Sequence, residues 1–398
     1  MNDRPDDTAF FAPPWDSDPG GSSIVDLAGA IAGRFGARPL DAKLDPRLAA
    51  ALADARQVVL LLFDGFGERQ LRDLAPGGAL DAARRMRLRS VFPSSTGPAI
   101  TSLATALHPA SHANTGWFCW SEELEAVVRT LVMDLRGVPG SRVDAAELWS
   151  WQSPSLHFDA PVFAIQPQGI ADSTFSRHAW AAASRIGYRA LEELPELIDR
   201  ALRESAEGAF VWVYLPHFDS ISHACGWQSD EALAIGRGFD LLFETLAVRL
   251  RASGALLLAT ADHGFIDVPV DSQLRLEDFP ELAALLDRPL SGEPRVAYCH
   301  ARPGREGAFE ATARSALGFA FDVVPSERLV SCGWFGPGPV SPQLAGRIGT
   351  HTLIARERYT LVDRMPGERP ARFVGMHGGI DPDELFVPLA VMRHGSAL

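Results

Sequence analysis

Cysteine is scarce in this sequence, and the few cysteines present are far apart. The 398-residue chain has 4 cysteines and no Cys-x-x-Cys pair. Disulfide-rich secreted domains need many closely spaced cysteines, and zinc knuckles need such pairs. Neither a disulfide scaffold nor a cysteine-based zinc site is therefore predicted.

Long apolar segments are absent as well. No stretch approaches the roughly 20 consecutive apolar residues of a membrane-spanning helix. Residues 1–22 are rich in Pro, Gly and Asp, and they lack the basic region followed by an apolar core that marks a secretory signal. We expect these residues to form an irregular N-terminal arm, and we expect a cytoplasmic protein with no membrane partner.

Basic residues are fewer than acidic ones. The chain has 37 Lys and Arg against 50 Asp and Glu, and its formal net charge is −13. An acidic surface disfavours nucleic-acid polymers and anionic membranes as partners. With these two classes of partner disfavoured, we expect the partner to be a small-molecule substrate.

The sequence does contain three short, almost purely apolar runs, at 58–63, 209–215 and 255–261. Strands that are apolar on both faces are buried on both faces, as in a parallel sheet covered by helices. Residues 191–205 and 230–253 have helical periodicity and lead into the second and third runs. This alternation predicts the α/β fold class, with a mostly parallel central sheet between two layers of helices.

Two segments, 117–175 and 292–372, interrupt this alternation. The first is rich in tryptophan, and the second contains many Gly and Pro residues, a helical pattern at 306–317 and short strand-like pieces. We expect both to be small insertions that cap the sheet within a single domain at 23–398.

A carboxylate follows each apolar run. Asp64 follows the first run, Asp219 the second and Asp262 the third. His223 lies four residues after Asp219, and His263 is next to Asp262. Because the carboxyl ends of parallel strands share one edge of a sheet, these side chains should converge there. A buried cluster of negative charge is costly without a cation, and mixed Asp and His ligands predict zinc or manganese rather than calcium.

Each motif has a simpler interpretation when taken alone. Asp-Gly after a strand is often a turn, where both residues are favoured for their backbone geometry. Ser94, Ser95 and Thr96 precede a helical pattern, and they either cap that helix or offer a nucleophilic hydroxyl in the positive field of its N-terminus. His377, before two glycines near the C-terminus, is by itself typical of a turn. Three similar strand ends in one sheet favour the metal site over these alternatives.

Five motifs occur in order along residues 58–391: DGFG, FPSST with a following helix and H-P-x-x-H, DSISHACG, ADHG, and HGG before a last strand. Together they resemble the alkaline phosphatase superfamily, and within it the nucleotide pyrophosphatase/phosphodiesterase branch. The resemblance implies an alkaline-phosphatase-like fold. It also implies that the domain at 23–398 is catalytic and acts on phosphate esters.

The resemblance further implies two divalent metal ions, zinc in the first place and manganese as the alternative. One ion would be held by Asp219, His223 and His377. The other would be held by Asp64, Thr96, Asp262 and His263. Thr96 would also be the covalent nucleophile, because a metal ion on its oxygen makes the alkoxide available near neutral pH.

Two positions depart from the pattern of nucleotide pyrophosphatases. Those enzymes usually carry an aromatic residue directly after the threonine and an asparagine three residues after it, whereas this chain has Gly97 and Ala99. The aromatic would stack on a base, and the asparagine would help to hold a phosphoryl oxygen. The two replacements therefore argue against nucleotide specificity. The Trp-rich segment at 117–151 either supplies a different pocket or belongs to the core.

A two-metal phosphodiesterase is the function that the sequence predicts first. Alternatives within the superfamily are a phosphomonoesterase, a phosphonate hydrolase and a metal-dependent phosphomutase, although such mutases typically use serine. Sulfatases are disfavoured, since 94–98 contains no Cys/Ser-x-Pro-x-Arg site. A non-catalytic metal-binding protein is the alternative from another class, and the intact Thr96 and complete ligand set argue against it.

Overall fold

Two β-sheets organise the part of the chain that the computed structural model describes, which comprises residues 12–13, 21–37, 43–365, 367–368, 372–394 and 396–397. The irregular arm expected at 1–22 lies mostly outside these residues. The larger sheet forms the core, and the smaller one covers part of its carboxyl edge.

The larger, central sheet is mostly parallel. Over the described residues it has eight strands, in spatial order Ser396–Ala397, Phe386–Arg393, Leu256–Thr260, Gln57–Phe63, Ala209–Leu215, Val162–Pro167 and Ser184–Tyr188, with Arg84–Arg89 paired to Phe386–Arg393. The three predicted apolar runs are neighbouring parallel strands in its centre. Alternate residues of Gln57–Phe63 pack into two separate hydrophobic clusters, one on each face of the sheet. This burial on both faces is what the apolar sequence of the run predicts for a central strand.

Helices cover both faces of this sheet. Ile24–Arg34 and Thr96–Thr105 pack on one face, and Leu194–Glu204 and Asp230–Arg249 pack on the other. The predicted α/β fold class with a central, mostly parallel sheet is therefore confirmed. Over the described residues the remaining α-helices are Pro46–Asp54, Glu68–Leu74, Ala79–Ala82, Pro109–His112, Ala145–Leu148, Thr174–Ala179, His217–Cys225, Pro280–Ala283, Glu306–Leu317, Ser326–Ser331, Leu344–Ile348 and Pro382–Leu385, with 3-10 turns at Pro154–His157, Leu191–Glu193, Val270–Ser272 and Leu276–Asp278. No helix within the described ranges is both long and apolar enough to cross a membrane.

The smaller sheet joins the two segments that were expected to be separate insertions. Its strands, in spatial order, are Phe321–Pro325, His351–Ala355, Val296–Cys299, Ser291–Glu293, Phe118–Ser121, Ala126–Arg129 and Asp134–Leu135. Antiparallel pairing of Gly292 with Phe118 connects the two segments. Val162–Pro167 lies within the expected insertion at 117–175 but is a strand of the central sheet, so the insertion ends before it. The assignment of 23–398 to one catalytic domain stays a prediction.

Two short pairings lie beside the carboxyl edge of the central sheet. Ile266–Asp267 pairs antiparallel with Gly375–Met376, and Gln273–Arg275 pairs parallel with Thr360–Val362. The first pairing brings the segment that contains His377 back against the end of the third apolar run.

Candidate metal centre and active site

The predicted carboxylates lie together at the carboxyl edge of the central sheet. Asp64 and Asp262 follow adjacent parallel strands, and Asp219 lies in the first turn of the helix after Ala209–Leu215. The backbone N–H of Asp64 donates to Leu215 O at 3.0 Å, which ties two of these strand ends together. Residues distant in sequence meet here because neighbouring parallel strands end side by side.

Asp219, His223 and His377 form the first group. Asp219 Oδ1 is 3.4 Å from His223 Nε2 and 3.5 Å from His377 Nε2. His223 lies one helical turn after Asp219 and therefore on the same helix face. Its Nδ1 is 2.8 Å from Gly375 O, which places a proton on Nδ1, so that in the neutral ring the lone pair of Nε2 is directed toward Asp219 and available to a metal ion.

Asp64, Asp262 and His263 form the second group, with Thr96 beside them. His263 Nε2 is 3.3 Å from Asp64 Oδ1 and 3.6 Å from Asp262 Oδ2. Thr96 Oγ1 is 3.0 Å from His263 Nε2 and 3.4 Å from Asp64 Oδ1. His263 Nδ1 is 3.0 Å from Gly264 O, so a proton lies on Nδ1, and Nε2, which faces the group, can bind a metal ion once its own proton is lost.

The spacing of these atoms fits two divalent metal ions. In a tetrahedral site with bonds of about 2.0–2.1 Å, ligand atoms lie about 3.3–3.4 Å apart. The carboxylate-to-imidazole distances within the two groups, 3.3–3.6 Å, agree with this. Asp219 Oδ1 and Asp262 Oδ2 are buried and have no hydrogen-bond partner among the described residues, which suits oxygens that bind a cation. The rings of His263 and His377 stack at 3.7 Å, so the two groups adjoin.

The charges of the cluster also favour a cation. Burial and the neighbouring Asp64 raise the pKa of Asp262 well above its usual range. Burial lowers the pKa of His263, but Asp262 and Asp64 outweigh this effect and raise it to about 10. Burial and the nearby His263 lower the pKa of His377 to about 3. The metal-free cluster therefore retains protons that offset its negative charge, and a divalent cation would replace them.

The hydroxyls of the S-S-T segment do not cap the helix that they precede. Thr96 is the first residue of that helix, and Ser95 occupies the N-cap position without a side-chain capping bond. Ser95 Oγ donates instead to Glu293 Oε1, and Ser94 Oγ donates to Gly379 O at 2.7 Å. The alternative that these hydroxyls serve only as caps is therefore wrong, and the Thr96 hydroxyl faces the second group.

Two side chains at the site were missed by the sequence analysis. Tyr214, in the second apolar run, donates its hydroxyl hydrogen to Asp64 Oδ2. Burial and the charge of Asp64 raise the pKa of Tyr214 well above its usual value, so it stays a donor. Glu293 is buried beside Ser95. A tyrosine within an apolar run is typical of the hydrophobic core, and Glu293 is part of no periodic pattern or motif. Neither residue could therefore be recognised from the sequence as part of the site.

The packing explains why no aromatic residue follows Thr96. A Cβ atom at Gly97 would lie 2.9 Å from Thr130 Oγ1 and 3.1 Å from Gly116 O, so the chain next to the smaller sheet leaves no space for a side chain. Ala99, at the position expected for asparagine in nucleotide pyrophosphatases, is fully buried. This helix therefore supplies neither a stacking ring nor a side-chain amide.

A cavity of about 540 Å³ adjoins Thr96 and the first group. Trp117 and Phe118 line this cavity, and both are partly exposed. The other three tryptophans of the segment are buried: Trp120, Trp149 and Trp151. The Trp-rich segment thus contributes to both the core and the pocket, through different residues.

A buried ion pair positions the turns that follow His263 and His377. Arg295 donates from Nε and Nη2 to the two oxygens of Glu384, each at 2.8 Å. The two side chains are 1% and 0% exposed. Glu384 Oε1 also accepts from Gly379 N at 2.9 Å, and Glu384 O accepts from Gly264 N at 2.8 Å. Glu384 thereby contacts both the segment after His263 and the segment after His377.

Glu384→Gln should lower the free energy of unfolding by about 3–5 kcal/mol, because it leaves the Arg295 guanidinium buried without a counter-charge. Urea unfolding followed by tryptophan fluorescence measures the change. Glu204→Gln is the matched control: Glu204 pairs with Arg200 at 4.0 Å on the surface and should contribute less than about 0.5 kcal/mol. A loss as small as the control's in Glu384→Gln would contradict the structural role of the pair.

Comparison with known proteins identifies the family and the fold. The model of the family "type I phosphodiesterase / nucleotide pyrophosphatase" matches residues 58–380. Murine ectonucleotide pyrophosphatase/phosphodiesterase 5, an inactive variant in complex with AMP, has 15% sequence identity and a TM-score of 0.63, over 85% of this chain and 88% of that one. Phosphonoacetate hydrolase from Sinorhizobium meliloti 1021, in complex with phosphonoformate, has 18% identity and a TM-score of 0.57, over 86% of this chain and 94% of that one. Among curated protein sequences, none matches the chain.

Proposed function

The chain belongs to the type I phosphodiesterase/nucleotide pyrophosphatase family, and we propose that it hydrolyses phosphodiesters. In this proposal the reaction uses two divalent metal ions and a covalent phospho-Thr96 intermediate. Membership makes the protein a phosphoesterase of the alkaline phosphatase superfamily. The observation that carries the finer proposal is the position of Thr96 Oγ1, which is 3.0 Å from His263 Nε2 and 3.4 Å from Asp64 Oδ1. A hydroxyl among metal-ligand atoms is placed for activation.

The metal ions are assigned to the two groups of side chains. We assign one ion to Asp219, His223 and His377, and the other to Asp64, Thr96, Asp262 and His263. The family is generally dependent on two metal ions. Zinc is the first assignment and manganese the alternative, since both accept mixed carboxylate and imidazole ligands. When bound, the ions supply Lewis-acid chemistry, which lowers the pKa of a hydroxyl in contact with them and offsets negative charge on phosphoryl oxygens.

The reaction proceeds by two displacements at phosphorus. Thr96 Oγ1 attacks and forms a P–O bond, while the bond to the leaving alcohol breaks and the alcohol takes up a proton. Phospho-Thr96 keeps the second ester group. Water then attacks from the opposite side, the bond to Oγ1 breaks, and a proton from that water returns to Thr96. The products are an alcohol and a phosphomonoester.

Backbone amides at the start of the helix replace the missing asparagine. The amide of Ala99 donates within the helix, to Ser95 O at 3.0 Å. The amides of Thr96 and Gly97 precede it and have no acceptor within the helix. We assign these two N–H groups to a phosphoryl oxygen, in the positive field of the helix N-terminus.

A preference for diesters over monoesters follows from the cavity beside Thr96. Its volume of about 540 Å³ leaves room for the second ester group. We expect kcat/KM for bis-p-nitrophenyl phosphate to exceed that for p-nitrophenyl phosphate by about tenfold or more, with zinc or manganese added. Faster hydrolysis of the monoester would favour a phosphomonoesterase. Hydrolysis of neither compound, with metal binding verified, would favour a non-catalytic metal-binding protein.

Two further expectations stay predictions. The net charge of −13 disfavours binding to a nucleic-acid polymer, so a small phosphoester is the proposed partner. A cytoplasmic location is proposed on the sequence composition alone, and fractionation of cells that express the protein tests it.

A further inference from the structure

Glu293 is a buried carboxyl group in the wall of the cavity beside Thr96. Its side chain lines the cavity, and the residue is only 6% exposed. Glu293 Oε1 accepts hydrogen bonds from Ser95 Oγ and from Trp117 N, the latter at 2.6 Å. No described residue donates to Oε2, so this oxygen is available to a ligand. Burial raises the pKa of Glu293 to about 7, although its two hydrogen bonds lower it.

The cations of the cavity are already paired. Each of the four arginines in its lining has a carboxylate partner: Arg129 with Asp134, Arg136 with Asp363 and Glu368, and Arg275 and Arg364 with Glu277. Glu293, by contrast, forms no ion pair with a described residue. Glu293 borders the cavity, and a hydrogen bond to a charged acceptor in such a largely enclosed place is stronger than one to a neutral acceptor. The wall beside Glu293 therefore presents a hydrogen-bond acceptor, with the charges of Arg129 and Arg136 matched by carboxylates, whereas the half-exposed Arg275 and Arg364 share one carboxylate.

Aromatic surface lies next to this acceptor. Trp117, whose backbone N–H binds Glu293, also lines the cavity. Phe118 lines it too, with the guanidinium carbon of Arg136 over its ring at 4.1 Å from the ring centre. Apolar contact beside a single acceptor suits an organic group that has carbon atoms and a hydrogen-bond donor.

We propose that Glu293 determines specificity, by accepting a hydrogen bond at Oε2 from a hydroxyl or amino group on the ester group of the substrate. The substrates are then phosphodiesters of polyols or amino alcohols that carry no second anionic group near phosphorus. This inference rests on the proposed function, because it concerns the ester group that the cavity holds. A protein acceptor that binds a donor group of the substrate discriminates against analogues without that group, since the acceptor is then left unpaired.

Four synthetic diesters with the same leaving group test the inference. They are p-nitrophenyl phosphates whose second ester group is propyl, 3-hydroxypropyl, 3-aminopropyl or 2-carboxyethyl. The wild-type enzyme should hydrolyse the hydroxypropyl and aminopropyl esters with kcat/KM about tenfold or more above the propyl ester. The carboxyethyl ester should be the poorest substrate, because its charge faces Glu293. Equal rates for all four, or a preference for the carboxyethyl ester, would overturn the inference and leave the phosphodiesterase proposal standing.

Glu293→Gln tests the residue itself. The glutamine keeps the size of the side chain and one oxygen for Ser95 and Trp117, but it loses the charged acceptor. The ratio of kcat/KM between the aminopropyl and propyl esters should fall by about tenfold. Glu281→Gln, at an exposed carboxylate outside the lining of the cavity, is the matched control and should leave this ratio unchanged. An equal loss of kcat/KM on all four esters would mean that Glu293 has only a structural role. If the wild type hydrolysed none of the four with metal bound, the proposed function itself would fail.

Discussion

Thr96→Ala should lower the turnover of a phosphodiester by on the order of a thousandfold or more. The substitution removes the oxygen that forms the covalent intermediate, so only direct attack by water remains. Stability should change little, because the Thr96 hydroxyl does not cap its helix, and a lost cap would cost about 1 kcal/mol. The measurement is steady-state hydrolysis of bis-p-nitrophenyl phosphate at saturating metal, with melting curves for each variant.

The controls for this prediction come from the same segment of the chain. Thr96→Ser retains an oxygen at the same position and should keep part of the activity. Thr105→Ala, in the last turn of the same helix, removes a buried hydroxyl that donates to Thr101 O and accepts from Leu107 N, far from the metal-ligand candidates, and should retain most of the activity. Ser94→Ala and Ser95→Ala should lower turnover much less than Thr96→Ala does. Near wild-type turnover in Thr96→Ala would mean that water attacks phosphorus directly and that Thr96 is not the nucleophile.

Chelation should abolish activity and lower the melting temperature by about 5 °C or more. A metal ion bound only by the folded chain stabilises it by about 2.7 kcal/mol when free metal is a hundred times Kd. Two sites would contribute roughly twice that amount. Calorimetry before and after EDTA, with metal loss verified, measures the shift. Readdition of zinc or manganese should restore both the melting temperature and the activity.

The effect of chelation should grow as the pH rises. In the metal-free protein, the pKa of His263 is raised to about 10, above its unfolded value of about 6.5. Protonated His263 therefore stabilises the metal-free fold below about pH 6.5, and this contribution is lost as the pH rises through 10. Metal binding must displace the same proton, so affinity also rises with pH. We expect a larger drop in melting temperature at pH 9 than at pH 6.

Metal analysis of two histidine variants separates binding at the site from binding elsewhere. His377→Ala should retain one ion fewer than the wild type, which should hold two. His157, which is exposed on a 3-10 turn, serves as the control, and His157→Ala should retain both ions. An unchanged melting curve after complete metal removal, or at most one ion in the wild type under excess zinc or manganese, would contradict the two-metal assignment.

The central sheet and most of the cluster were predictable because they depend on short-range patterns. Asp64 and Asp262 follow runs that are buried on both faces, and adjacent parallel strands must end at one edge. His223 is one helical turn from Asp219. His377 had no such pattern, because it reaches the site through a two-residue strand pair, Ile266–Asp267 with Gly375–Met376. Only the family resemblance identified it as a ligand candidate.

The pocket could not be predicted, because it depends on pairing between distant segments. Gly292 and Phe118 connect two stretches that the sequence analysis treated as separate insertions. The same contact brings Glu293 to Ser95 and Trp117. Side-chain patterns carry no information about such a pairing, since each strand is at most five residues long in the smaller sheet. Tyr214 was missed for another reason: its ring is core, and only its hydroxyl acts at the site.

The stereochemical course at phosphorus distinguishes a covalent phospho-Thr96 intermediate from direct attack by water. A chiral phosphorothioate diester is hydrolysed in oxygen-18 water, and the configuration of the product is determined. Each in-line displacement inverts phosphorus, so attack by Thr96 followed by attack by water predicts net retention. Net inversion would mean a single displacement by water and would contradict the phospho-Thr96 intermediate.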